Sequence, residues 1–103
     1  MKTWSDLQVV LQDILGEDGK AYYQPPENYK LSYPCIVFSR SNALIRHADN
    51  DPYSVTKRYV INLITKTADN DEYVDKLLTL PMCRYDRQMV VNGLVHDYFE
   101  IFY

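Results

Sequence analysis

The chain has 103 residues, a formal net charge of −3 and a sequence pI near 5.2. This length predicts one domain over residues 1–103 with a single modest core, and hydrophobic residues make up 47% of the chain. The acidic balance disfavours a general affinity for nucleic acid or for anionic membranes, because binding to phosphate groups requires a basic surface.

A helix is predicted at the start of the chain. Thr3 and Asp6 form an approximate capping box, and Gly16 ends the helix. Its apolar positions recur at helical spacing and are Trp4, Leu7, Val10, Leu11, Ile14 and Leu15. The pattern is typical of an amphipathic helix rather than of a signal peptide, and no apolar run approaches the roughly 18 residues that a membrane helix needs.

The next segment, residues 17–33, is predicted to be an ordered but irregular connection. It contains Gly19, the Pro25-Pro26 pair and several tyrosines, so proline and aromatic contacts would fix its path. Its composition does not indicate a linker between domains.

Two strands are predicted at residues 35–39 and 55–66. The first is short and apolar on both faces. The second alternates, with Tyr59, Ile61 and Leu63 on one face and Arg58, Val60, Asn62 and Ile64 on the other. Since neither face is purely polar, the pattern favours a sheet that is covered on one side and contacts a partner on the other.

A polar connection without glycine is predicted between these two strands. Its candidate contact residues are Arg40, Arg46, His47, Asp49, Asp51 and Tyr53. Two interpretations are open. The connection is a solvated loop stiffened by Asx-type turns, or it is a docking element whose charges pair with those of a partner.

The second half of the chain predicts a short helix and a hairpin. Asp69 and Glu72 form a capping box for the helix, and Pro81 ends it soon afterwards. Residues 83–91 and 94–103 form the last two strands, which Asn92-Gly93 joins in a type I′ turn. In this register the facing pairs are Val91 with Leu94, Met89 with His96, Arg87 with Tyr98, and Tyr85 with Glu100.

No catalytic, cofactor or metal site is predicted. The three glycines are too scattered to form a phosphate-binding loop. His96 and Asp97 are adjacent on a strand and point to opposite faces, so they cannot form part of a catalytic triad. Two histidines without clustered cysteines give no zinc spacing, and Cys35 and Cys83 are expected to be reduced residues of the core.

The order of elements predicts an α+β fold. An N-terminal helix and a short second helix would pack on a mainly antiparallel four-stranded sheet, with a long loop between the first two strands.

Four stretches of the chain carry a family resemblance. They are YPCIVFSRSNALIRHADNDPY, TKRYVINLITK, LLTLPMCRYDR and NGLVHDYFEIFY. Together they resemble small tail-terminator or tail-completion proteins of long-tailed bacteriophages, over about residues 22–103. The resemblance implies a structural virion protein, assembled in the host cytoplasm, that forms a ring, commonly a hexamer. Such a ring caps the tail tube and contacts the head-side connector or stopper protein. The acidic balance of the chain also fits a channel through which DNA passes without being bound.

The residues suggest two ways in which such a ring would be held. Arg46, Asp49 and Asp51 would pair with a neighbouring subunit or with the tail tube. Strand faces that carry Arg58, Tyr59, Arg87 and Tyr98 would contribute to packing between subunits. A stopper or head-closure protein, a non-viral interaction module and a small hydrolase are the alternatives, and no membrane partner is expected.

Overall fold

A computed structural model describes residues 3–26, 30–47 and 55–103, with residues 42–47 and 55–56 as backbone only. The elements are α1 (Trp4–Leu15), β1 (Lys20–Tyr23), β2 (Cys35–His47), β3 (Val55–Thr65), α2 (Asp71–Leu78), β4 (Cys83–Val91) and β5 (Leu94–Phe102). The described strands form one mixed sheet in the order β1-β2-β3-β5-β4. The predicted α+β class with two helices is confirmed, but the sheet has five strands rather than four.

The additional strand is β1, which lies in the segment predicted to be irregular. It pairs in parallel with β2, from Lys20 opposite Cys35 to Tyr23 opposite Phe38. Gly19 lets the chain approach β2 closely, because a Cβ atom there would lie 2.5 Å from the Pro34 carbonyl oxygen. A strand of four residues has little pattern of its own, so pairing with a longer neighbour determines its conformation.

Strand β2 is also longer than predicted. It continues through Arg40 to His47, so the long loop expected from Arg40 onwards is wrong for this part of the chain. The register shifts between Arg40 and Ile45, and the strand then pairs with the start of β3 as far as His47 opposite Val55. Residues 40–47 contain no glycine or proline to interrupt a strand, and this favours its continuation.

The predicted boundaries of α1 are confirmed. The Thr3 backbone N–H donates to Asp6 Oδ2 at 2.9 Å, and the Asp6 N–H donates to Thr3 Oγ1 at 3.4 Å, which completes the capping box. At the other end Gly16 takes a φ of 66° and stops the helix.

Helix α2 begins differently from the prediction. Its N-cap is Asn70, which makes no side-chain capping bond, so the capping box assigned to Asp69 and Glu72 is wrong. The Asn70 amide donates instead to Asp97 Oδ2 at 2.5 Å and to Thr65 Oγ1 at 3.2 Å. A buried tertiary partner therefore takes the side chain that would otherwise cap the helix.

Both helices pack on one face of the sheet, and the core lies between the helices and that face. Its most buried apolar members are Leu7, Leu11, Ile36, Phe38, Tyr59, Ile61, Leu63, Leu77, Phe99 and Ile101. Complete burial of a large apolar side chain of this kind contributes about 1.5–3 kcal/mol. We call the opposite side of the sheet, which neither helix covers, the open face.

The β4–β5 hairpin confirms the predicted turn. Asn92 and Gly93 have φ values of 52° and 77°, the left-handed pair that a type I′ turn requires. Arg87 lies opposite Tyr98, and Met89 lies opposite His96, as predicted. Tyr85 lies opposite Phe99 rather than Glu100, because a bulge at Asp86 shifts the register.

Candidate functional site

Strand β4 is exposed along almost its whole length. It lies at the edge of the sheet, and every residue after Cys83 is exposed on whichever face it points to. Among the described residues, five of the eight exposed large hydrophobic side chains lie in or just before it, namely Met82, Tyr85, Met89, Val90 and Val91. Val90 is the most exposed of these five, at 67%. Since exposed apolar patches are typical of interaction sites, β4 is the candidate contact surface.

The open face beside β4 carries a charged cluster. Arg58 Nη2 lies 2.6 Å from Glu100 Oε2, and Arg84 Nη2 lies 3.5 Å from Glu100 Oε1. The hydrogen bond from Arg58 lowers the pKa of the Glu100 carboxyl group, and the same bond raises the pKa of Arg58. Arg58 also donates to Ser41 Oγ at 3.2 Å, which ties β2, β3, β4 and β5 together across this face.

Two buried polar atoms on the open face have no partner in the described part of the chain. They are Arg58 Nε and Asn62 Oδ1. Buried polar groups are normally hydrogen-bonded, and an exception calls for an explanation such as water or a partner. The polar network of this face is therefore not complete within the described chain.

An aromatic row continues the open face toward the hairpin turn. The Arg87 guanidinium carbon lies 5.2 Å from the centre of the Tyr98 ring, within the range of a cation–π contact. The His96 and Tyr98 rings are stacked with their centres 6.3 Å apart, and His96 Nδ1 lies 3.2 Å from Asn62 Nδ2. These contacts hold Arg87 and Tyr98 on one surface.

On the helix side, a buried aspartate anchors β4. Asp97 is 1% exposed, and its Oδ1 accepts from the Tyr85 hydroxyl at 2.7 Å and from Gln88 Nε2 at 3.0 Å. The bulge at Asp86 makes this possible, because it puts Tyr85 and Gln88 on the same face. The pKa of Tyr85 is raised to about 12, mainly by burial and to a smaller extent by the hydrogen bond to Asp97.

The structure brings together three of the four strand residues that the sequence proposed for a contact. Arg58, Arg87 and Tyr98 all lie on the open face. Tyr59 does not, because it is 1% exposed and packs in the core against Phe38. Its assignment as an interface residue is wrong, since adjacent residues of a strand point to opposite faces.

The structure describes only some of the candidate residues of the predicted loop. Arg40 lies in β2 on the side of Tyr59 and is exposed, and its backbone N–H donates to Gln24 Oε1 at 3.3 Å. Arg46 and His47 are strand residues near the end of β2. Asp49, Asp51 and Tyr53 lie outside the described residues.

Sequence reasoning missed Asp97 as the anchor of β4. The sequence Val95-His96-Asp97-Tyr98-Phe99 does contain a signal, because an aspartate occupies an inward position of an alternating strand. Its donors come from β4 and from the start of α2, and no local pattern connects them.

The structure describes both cysteines and the adjacent His96 and Asp97. Both cysteines are free thiols, and burial raises the pKa of each to about 11, so both are protonated at neutral pH. His96 and Asp97 point to opposite sides of β5. Within residues 3–26, 30–47 and 55–103, no cluster of three or more potential ligands could hold a metal ion.

No protein-family model matches this sequence, and no curated protein is significantly similar to it. Neither described helix has the length and apolar content that a bilayer crossing requires. The resemblance to phage tail-terminator proteins therefore stays a prediction from the sequence.

Proposed function

We propose that the chain is a structural protein of a bacteriophage neck. It forms a ring, commonly a hexamer in the family it resembles, that caps the tail tube and joins the tail to the head-side connector. Its partners are other copies of itself, the tube protein and the connector or stopper protein. It works by contact and not by catalysis, in a virion assembled in the host cytoplasm.

The observation that carries this proposal is the exposure of β4. A nine-residue edge strand with exposed apolar side chains on both faces is a liability for an isolated molecule. No described strand pairs with the outer side of β4, so this side offers backbone donors and acceptors to a partner. Assembly would cover this surface.

The charge balance supports contact with protein rather than with DNA. The chain has a formal net charge of −3, and Arg58 is paired with Glu100 at 2.6 Å. Binding to a phosphate backbone depends on an excess of free positive charge, which an acidic chain lacks overall. This is consistent with a channel through which DNA passes without being held.

Two alternative functions would use the same exposed surface of β4. A stopper or head-closure protein of the same neck would also assemble through an exposed strand. A non-viral interaction module would use β4 to bind a different protein, and it would remain a monomer when purified alone.

Light scattering with negative-stain microscopy tests the proposal. The wild-type chain is expected to form closed rings, and Val90→Arg is expected to reduce assembly by placing a charge in the contact. Leu78→Arg is the matched control, because Leu78 is an exposed apolar residue of α2 rather than of β4.

Assembly alone would not identify the neck, so a genetic test complements the biochemical one. Removal of the gene from the genome that carries it should leave filled heads and unjoined tails. A monomeric chain at its highest soluble concentration, or normal joined particles without the gene, would contradict the proposed function.

A further inference from the structure

A groove lies at the opposite end of the sheet from β4, between α1 and β1. It has a volume of about 250 Å³ and is lined by Gln8, Val9, Gln12, Asp13, Lys20 and Ala21. Val9 in this lining is 63% exposed and gives the groove an apolar wall. The charged lining residues are Asp13 and Lys20, and with Glu17 and Asp18 beyond Asp13 the carboxylates outnumber this one cation.

The backbone of β1 is not free to add a strand in this groove. The Gln12 side chain accepts from the Ala21 N–H at 3.1 Å and donates to the Gly19 carbonyl at 2.8 Å. Gln8 donates to the Ala21 carbonyl at 3.1 Å. Because glutamine side chains already use these backbone groups, an occupant of the groove must bind through side chains.

The C-terminal end of α1 lacks a compensating positive charge. Asp13, Glu17 and Asp18 are exposed there, and the last turn has no basic residue. No described basic side chain forms an ion pair with any of the three. A helix C-terminus favours cations, so this end of the groove is suited to an arginine from outside.

The β4–β5 hairpin carries the matching residues. Arg87 and Met89 share the open face and are about 7 Å apart at the rise of a strand. On the groove side, Val9 and Asp13 are one helical turn apart, about 6 Å along the axis. Met89 can therefore contact Val9 while Arg87 reaches Asp13, and a flexible methionine adapts well to a partly apolar wall.

We infer that the groove between α1 and β1 receives the tip of the β4–β5 hairpin of a second copy, with Arg87 paired to Asp13 and Met89 packed on Val9. The two surfaces lie at opposite ends of the sheet, so the contact is head-to-tail, and repetition of it produces a ring or a filament. The inference rests on the proposed self-assembly and specifies its contact surfaces.

Reciprocal charge reversal tests this contact. Arg87→Glu and Asp13→Arg are each expected to weaken self-association about tenfold or more, because each places like charges together. An equimolar mixture of the two variants should recover assembly, since every contact in an alternating ring again joins opposite charges. Light scattering gives the masses, and circular dichroism checks that both variants remain folded.

Asp75→Arg is the matched control. It reverses an exposed aspartate on α2 and should assemble like the wild type. Arg87→Glu and Asp13→Arg variants that assemble normally, or that fail to recover when mixed, would overturn the inference while leaving the proposed ring in place. Normal assembly of Asp13→Arg with loss in Arg87→Glu would indicate a contact between two β4 strands instead. A monomeric wild-type chain would overturn both proposals.

Discussion

The two edges of the sheet are built in contrasting ways. At one edge, β1 has four residues, and α1 lies beside it with Gln8 and Gln12 bonded to its backbone. At the other edge, β4 has nine residues, and every one after Cys83 is exposed. One edge is protected against strand addition, and the other remains exposed.

This difference does not reflect a poorly formed β4. Arg84 is bound to Glu100, and Tyr85 and Gln88 are bound to the buried Asp97. The strand is held firmly from its inner side while its outer side stays unpaired. An ordered exposed edge loses little conformational entropy when a partner binds, which favours association.

The largest expected effect comes from removing the anchor of β4. Asp97→Ala leaves the buried Asn70 amide and the partly buried Tyr85 and Gln88 donors without their acceptor. We expect a loss of about 3 kcal/mol in the free energy of unfolding, measured by urea denaturation. Asp86→Ala, at an exposed position of the same strand, should change it by less than about 0.5 kcal/mol. Equal effects of the two changes would show that Asp97 does not anchor the strand.

A smaller loss is expected when the protected edge is opened. Gln12→Ala removes the acceptor for the Ala21 N–H and the donor to the Gly19 carbonyl. The expected loss is about 1–2 kcal/mol, with faster amide hydrogen exchange at Ala21. Gln12→Glu is the informative control, since it retains the acceptor and should protect Ala21 better than alanine does. Unchanged exchange in both variants would contradict the capping role of Gln12.

The same contrast explains which parts of the fold were predictable. Local chemistry specifies the Thr3 capping box and the Asn92-Gly93 turn, and both were predicted correctly. Strand β1 was missed because its four residues are ordered by pairing with β2 and by α1, which are not local signals. The sequence does not predict the extension of β2 to His47, because the polar residues in this part of the strand are also typical of a loop.

The candidate site was predictable only in part, for a similar reason. Alternation along β3 and the turn register placed Arg58, Arg87 and Tyr98 on the open face, but the partner of Arg58 is a distant glutamate. The core position of Tyr59 follows from which face the helices cover, and the sequence did not decide that question. The bulge at Asp86 left no clear pattern, although it determines which residues reach Asp97.

Alkaline pH should weaken the attachment of β4. The pKa of Tyr85 is raised from 10.0 to about 12, so the folded state holds this proton more tightly than the unfolded state does. The stabilisation is complete below pH 10 and is lost as the pH rises toward 12. Urea denaturation across this range should give a falling free energy of unfolding.

Tyr85→Phe separates this tyrosine from other titrating groups. It should lose about 1 kcal/mol at neutral pH with the bond to Asp97, and its stability should fall less steeply than that of the wild type at alkaline pH. The two cysteines, whose pKa values are raised to about 11, contribute a similar slope in both proteins. Identical alkaline slopes would contradict the role of Tyr85.

The smallest effect on stability is expected at the most exposed position of β4. Val90→Thr keeps the β-branched shape, and Val90 is 67% exposed, so the free energy of unfolding of the monomer should change by less than about 0.5 kcal/mol. Self-association, measured by light scattering, should nevertheless weaken, because the apolar surface serves the contact between copies. If Val90→Thr lowers monomer stability by more than 1 kcal/mol and leaves association unchanged, then β4 is part of the internal packing, and the contrast between the two edges does not reflect assembly.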